Sequence, residues 1–263
     1  MKIQLFYLTM VIMLLNSKSI SAQNYDFSLV DMDTNKKVAF NDIYKTYNLD
    51  RNKPTLLISW SGSWCSYCID LIERYQKADL TMINLITVNI DNEADRNTTI
   101  NKGYHKNWKK SVNMYGTLKE DDKGFNYYFN VGRAPLILAF IEGYVSDVVM
   151  SYSIYPYKLV SSGYITNINF IWNSSSDLNS YAWDHYLNEN NPEKLKEAIR
   201  WVNRSIELKK EYHNTDTLAS LLFKTGEYVQ ALKTAKEAIE IAQKNNQDYK
   251  STTDLIQKII EKM

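Results

Sequence analysis

Cysteine is scarce in this sequence: 263 residues contain two, at positions 65 and 68. Two cysteines cannot form the scattered set of bridges that holds a small secreted domain together. A bridge across so short a loop also restrains little of the unfolded chain, so stability is a poor reason for the pair and chemistry a better one. Histidine is scarce too, with three, at 105, 185 and 213, all far from the cysteines in sequence. A zinc site at the pair would lack its two further ligands, and no metal and no cofactor is expected. An excess of one charge is missing as well, with Lys+Arg 31 against Asp+Glu 30. Nothing in that balance draws the chain to nucleic acid or to an anionic membrane. No apolar run approaches the ~20 residues that span a bilayer.

What the N-terminus does contain is an export pattern. Met1 and Lys2 give a short positive start, residues 5–15 an apolar core, and residues 17–22 a small and polar stretch leading to Gln23. These are the three regions of a secretory signal peptide, with cleavage expected after Ala22 although Ile20 is large for such a site. An uncleaved anchor is the alternative reading. No cysteine stands near the cleavage site to carry a lipid. The exported chain, expected in the periplasm, keeps about 240 residues, enough for one large domain or two small ones. Loss of Lys2 and Lys18 leaves 29 basic against 30 acidic residues, a net charge of −1. An aromatic content of 13% supports a packed core.

Along residues 23–160 strand and helix signals alternate. Residues 25–30 read as a short strand, 31–36 as turn, and 38–47 as a lead into a short helix. Pro54 introduces Thr55-Leu-Leu-Ile-Ser-Trp60, a short apolar run typical of a buried strand, which Ser61-Gly62-Ser63 ends. From Ser66 to about Lys77, Ile69, Ile72 and Tyr75 recur at helical spacing. Residues 82–90 are β-rich and end in Asp91-Asn92. The polar, weakly periodic stretch 92–123 reads as surface helix and loop inserted before the next core strand. Residues 127–131 are apolar, Gly132-Arg133-Ala134-Pro135 interrupts, and 136–141 is a strong strand. Glu142-Gly143 makes a tight turn, so 145–150 can return antiparallel. The expected architecture is a central mixed sheet flanked by helices.

Beyond about residue 160 the strand signals stop. Residues 178–187, 192–210, 215–225, 228–244 and 251–262 each read as helical, with Pro192 placed where proline starts a helix. Ala198-Ile-x-x-Val-x-x-Ser-Ile-Glu-Leu208 matches Ala231-Leu-x-x-Ala-x-x-Ala-Ile-Glu-Ile241 at an offset of 33, close to the ~34-residue period of a tetratricopeptide repeat. The second copy resembles that family through Ala219, Gly226, Tyr228, Ala231 and Ala238. The first is poorer, with Trp183 and Tyr186 where smaller residues are expected. A generic helical hairpin with a small-residue seam is the plainer alternative. Two repeats fall short of the three usually needed for stability. Residues 161–263 are expected as an all-α, tetratricopeptide-like domain leaning on the first.

The segment Trp64-Cys65-Ser66-Tyr67-Cys68 resembles the thioredoxin superfamily, and especially the exported, membrane-facing thiol reductases related to ResA and TlpA. The resemblance covers residues 25–150. It rests on the strand before the motif, Trp64-Cys-x-x-Cys68 opening a helix, a following strand ending at Asp91, and Arg133-Ala134-Pro135 before another strand. A cysteine at a helix N-terminus meets unpaired N–H groups and the positive end of the helix dipole, both of which favour the thiolate. The resemblance implies a thioredoxin-like α/β fold with Cys65 as nucleophile and Cys68 as resolving thiol. It implies a cis bond at Ala134–Pro135, and Trp64, Ala134 and Pro135 lining the substrate groove. Its partners would be protein disulfide substrates and a membrane or periplasmic electron-donor protein, with a further protein ligand for the helical repeats. A repeat-based binding module on a thioredoxin-like scaffold is the alternative. Two departures stand out: Ser59 where many thioredoxins carry a buried Asp, and Leu71 where the ResA- and TlpA-like proteins often carry Glu. Asp70 and Glu73 read as a solvated helix face, so the proton acceptor for Cys68 is unassigned. Ser66-Tyr67 between the cysteines does not place the couple on the scale of redox potentials.

Overall fold

The structure is a computed structural model that describes residues 27–116, 124, 125, 129, 133–141, 144–149 and 154–263. The export pattern of residues 1–22, most of the apolar stretch 127–131 and the turn at Glu142-Gly143 lie outside the described residues. Among those described, no helix is long and apolar enough to cross a membrane.

Among the described residues, seven strands form one mixed sheet, ordered β2-β1-β5-β4-β3-β6-β7. They are β1 (Ser28–Asp31), β2 (Lys37–Ala39), β3 (Thr55–Trp60), β4 (Asn84–Asn89), β5 (Val112–Gly116), β6 (Ile137–Ile141) and β7 (Tyr144–Val149). Every residue of β3 and β4 is buried, and the two pair in parallel, as strands covered on both faces do. On the other side of β3, β6 runs antiparallel and β7 antiparallel to it in turn. This parallel pair followed by an antiparallel hairpin, with Cys-x-x-Cys shortly after β3, is the thioredoxin-like arrangement.

One expectation is corrected in part. Of the stretch 92–123, residues 92–116 are described: Glu93–Lys102 is the expected helix, but Val112–Gly116 is β5, a sheet strand that pairs parallel with β4 and antiparallel with β1. Thr99, His105 and Trp108 in the same stretch are buried. The strand is five residues long and its Asn113 spoils the apolar alternation. The asparagine is accommodated because Thr87 and Ser111 hydroxyls donate to its Oδ1 at 2.9 and 2.8 Å. Helices α1 (Phe40–Thr46), α3 (Glu93–Lys102) and α4 (Tyr104–Asn107) belong with this sheet.

The chain divides into two compact units, and helix α2 (Ser66–Lys77) groups with the C-terminal residues rather than with the strands around it in sequence. The reason is visible in its contacts. Tyr75 Oη donates to the Ile154 carbonyl at 2.9 Å, and Asp79 N–H donates to that of Phe170 at 2.9 Å. Arg74 reaches the buried Asp177 at 3.5 Å. Among its other described residues this unit holds the helices α5 (Pro156–Ser161), α6 (Ser175–Asn188), α7 (Pro192–Leu208), α8 (Tyr212–Lys224), α9 (Tyr228–Lys244) and α10 (Lys250–Ile260). Ala198, Ala219, Ala231, Ala235, Ala238 and Ala242 are all fully buried, which lets helix backbones approach closely. Ala219, Ala231 and Ala235 share one cluster with Leu222, Leu255 and Ile259.

Candidate redox site

Cys65 and Cys68 are disulfide-bonded. Cys65 stands immediately before α2, and Cys68 lies in its first turn, close enough to close the bridge. The first turn of α2 carries no acidic side chain, so nothing there offsets the positive end of the helix dipole beside Cys65. Both sulfurs are sheltered, unequally: Cys65 keeps 7% of its surface exposed and Cys68 none. Cys65 Sγ lies 3.7 Å from the Ala134 carbonyl oxygen. The next peptide bond, Ala134–Pro135, is cis. Trp64, adjacent to Cys65, is 55% exposed, an unusual position for so large an apolar side chain, whereas Trp60 at the end of β3 is fully buried.

The two positions where the resemblance leads one to expect an acid are filled otherwise. Ser59 is buried and ties β3 to the residue after Pro135: its N–H donates to the Leu136 carbonyl at 2.8 Å, and Leu136 N–H donates to its Oγ at 2.7 Å. Leu71 is fully buried. Asp70 is exposed and lies 3.4 Å from Arg74 on the next turn, and Glu73 is exposed.

The residue that sequence reasoning misses is Asp91. It is 1% exposed, and its carboxylate gathers the whole turn that precedes Cys65. Ser61 Oγ donates to Oδ1, as does Ser63 Oγ at 3.0 Å. Gly62 N–H (2.9 Å), Asn89 Nδ2 (3.0 Å) and Thr99 Oγ1 (2.5 Å) donate to Oδ2. Lys102 Nζ completes the clamp by donating to the Gly62 carbonyl at 2.8 Å. Burial works to raise the Asp91 pKa. The hydrogen bonds from Ser61, Thr99, Asn89 and Gly62 together outweigh it, so the carboxyl is held below its ordinary range. The sequence does carry a signal, an acid ending one strand and a Ser-Gly-Ser break ending another. Pairing the two requires knowing that β3 and β4 are parallel neighbours in register.

Tyr67, between the cysteines, is half-buried and lies edge-on to Tyr155, with ring centroids 5.6 Å apart at 67°. Its pKa is raised, first by burial and then by its hydrogen bond with Tyr155. Among the described residues, no group of three His, Cys, Asp or Glu side chains is arranged to hold a metal ion.

A thioredoxin-like sheet with a Cys-x-x-Cys disulfide at the start of a helix defines a class of architecture. No protein-family profile and no curated protein matches the chain. Solved structures do, over about half of its length. The chain is similar to the thioredoxin domain of a thiol-disulfide oxidoreductase from Bacteroides vulgatus, at 19% identity and TM-score 0.35, covering 48% of this chain and 85% of that one. It is similar to a secreted disulfide oxidoreductase of Mycobacterium tuberculosis homologous to E. coli DsbE, at 15% identity and TM-score 0.36, covering 54% and 96%. It is also similar to the pneumococcal exposed lipoprotein thioredoxin of Streptococcus pneumoniae, at 19% identity and TM-score 0.36, covering 53% and 99%.

Proposed function

We propose that this chain is an exported thiol–disulfide oxidoreductase acting as a protein disulfide reductase. The observation that carries the reading is the Cys65–Cys68 bridge itself, whose more accessible sulfur lies 3.7 Å from the Ala134 carbonyl and next to the exposed Trp64. In the reduced protein, the Cys65 thiolate attacks one sulfur of a substrate disulfide and expels the other as a thiolate, which takes up a proton. The Cys68 thiolate then attacks Cys65 Sγ and releases the second substrate thiol. The substrate gains two electrons and two protons, and the Cys65–Cys68 disulfide is left behind. A membrane or periplasmic electron-donor protein must return two electrons per turnover.

Cys65 is the nucleophile in this reading because it precedes the helix and is the less buried sulfur; Cys68, fully enclosed, resolves. Trp64 supplies an apolar wall for substrate. Ala134 and Pro135 supply a backbone edge along which an extended peptide can pair as an added strand. Residues 23–160 carry the redox chemistry, although helix α2 groups with the C-terminal unit, and residues 161–263 form a tetratricopeptide-like domain that recruits a protein partner. The 33-residue offset and the buried alanines of α7, α8 and α9 support that second assignment. Replacing Cys65 with Ser tests the enzyme: turnover of insulin disulfides should be abolished, and unchanged turnover would sink the reading.

A further inference from the structure

Arg74, further along α2 than the cysteines, sits among groups that the dithiol chemistry does not use. Its guanidinium carbon lies 3.9 Å from the centroid of the Tyr155 ring, within the range of a strong cation–π contact. The Tyr155 ring in turn meets the Tyr67 ring between the cysteines. Arg74 Nη1 also lies 3.5 Å from Asp177 Oδ1. Asp177, in the first turn of α6, is fully buried. Ser174 Oγ donates to its Oδ2 at 2.5 Å and Tyr157 N–H to its Oδ1 at 3.4 Å. Asp70, the other carboxylate facing Arg74, is exposed on the same helix. A buried carboxylate is costly unless paired, so the position of Arg74 is fixed from the α6 side.

We infer that Arg74, anchored by Asp177, is a positioning residue that holds Tyr67 through Tyr155 and so biases the Cys65–Cys68 pair toward its disulfide. The inference rests on the redox reading above. The contacts described surround the disulfide form, and the inference is that the Ser66-Tyr67 turn is held less tightly once the bridge is opened to two thiols. Interactions that immobilise Tyr67 in the closed form therefore stabilise the disulfide relative to the dithiol. Through this chain of contacts the first long C-terminal helix acts on the potential of the couple without touching either sulfur.

The full-length protein equilibrated with glutathione tests this. Two glutathione thiols reduce the bridge, giving the Cys65–Cys68 dithiol and one glutathione disulfide, and acid quenching followed by mass spectrometry counts the two forms. Tyr155→Leu removes the ring and leaves both charges in place. It should shift the equilibrium about threefold toward the dithiol, which is about 14 mV for a two-electron couple. Asp177→Asn preserves shape but removes the buried charge that fixes Arg74, leaving only the exposed Asp70 beside it, and should shift it in the same direction. A constant within about 1.5-fold of the parent in either variant, when circular dichroism shows it folded, overturns the inference. The two readings fail separately. If the parent equilibrates with glutathione but does not turn over insulin, the reductase function fails and this inference is judged on its own shift. If the parent turns over and Tyr155→Leu keeps its constant, the inference fails alone.

Discussion

Asp91 shows how one residue can shape the turn before a cysteine pair from outside it. The turn Ser61-Gly62-Ser63-Trp64 has no regular hydrogen-bond ladder, and the buried carboxylate supplies the acceptors that a ladder would have supplied. Asp91→Ala leaves several buried donors without an acceptor and should cost about 3 kcal/mol in urea unfolding. The pH dependence follows from the direction of its shift. The folded pKa lies below the unfolded carboxylate value of about 3.9. Between the two values the unfolded chain binds more protons, so the stabilisation is complete above the unfolded pKa and is lost as pH falls through the folded one. The Asp91→Asn protein should lack this acid-dependent component when both proteins are titrated from about pH 6 to about pH 2. The sequence shows Asp91 as the end of a strand. It does not show the partners, because Ser61 and Thr99 come to it from elements on either side in the chain.

At the scale of the element, the approach of α3 to the end of β3 is set by Gly62. A methyl group placed on Gly62 would lie 2.5 Å from Thr99 Oγ1 and 2.7 Å from its Cγ2. Thr99 is fully buried and committed to Asp91, so it has little freedom to withdraw. Gly62→Ala should therefore destabilise the protein by about 1–3 kcal/mol, the usual range for overpacking, as measured by chemical denaturation. Strands β3, β4 and β6 are legible in the sequence because each is a short apolar run bounded by breakers. Strand β5 is not. Val112–Gly116 becomes a strand through the neighbours β1 and β4 on its two edges, and its own residues carry only a weak preference for that state.

For the molecule as a whole, α2 has a double allegiance: it follows β3 in sequence and carries Cys68, yet it packs with the C-terminal helices. A chain ended after Ser162 would deprive Arg74 of Asp177 and Asp79 N–H of the Phe170 carbonyl. Uncovering the apolar side chains of α2 that the C-terminal helices cover costs about 3 kcal/mol or more. The midpoint of thermal unfolding should fall by about 10 °C. Dye binding to exposed apolar surface should rise in the same preparation; an unchanged midpoint would mean that α2 is held without the helical segment.

The sequence alone determined the Cys65–Cys68 pair, the helix that begins at Ser66, the buried strands on which that helix follows, and the succession of helices from about residue 178 onward. These are local properties, carried by residue type and spacing within about a dozen positions. The tertiary structure alone decided that 112–116 joins the sheet, that Asp91 gathers the turn before Cys65, and that Arg74 and Asp177 meet. Each of these depends on contacts between residues far apart in the chain. Their free energy comes from burial and from satisfying buried polar groups, quantities that no local window contains.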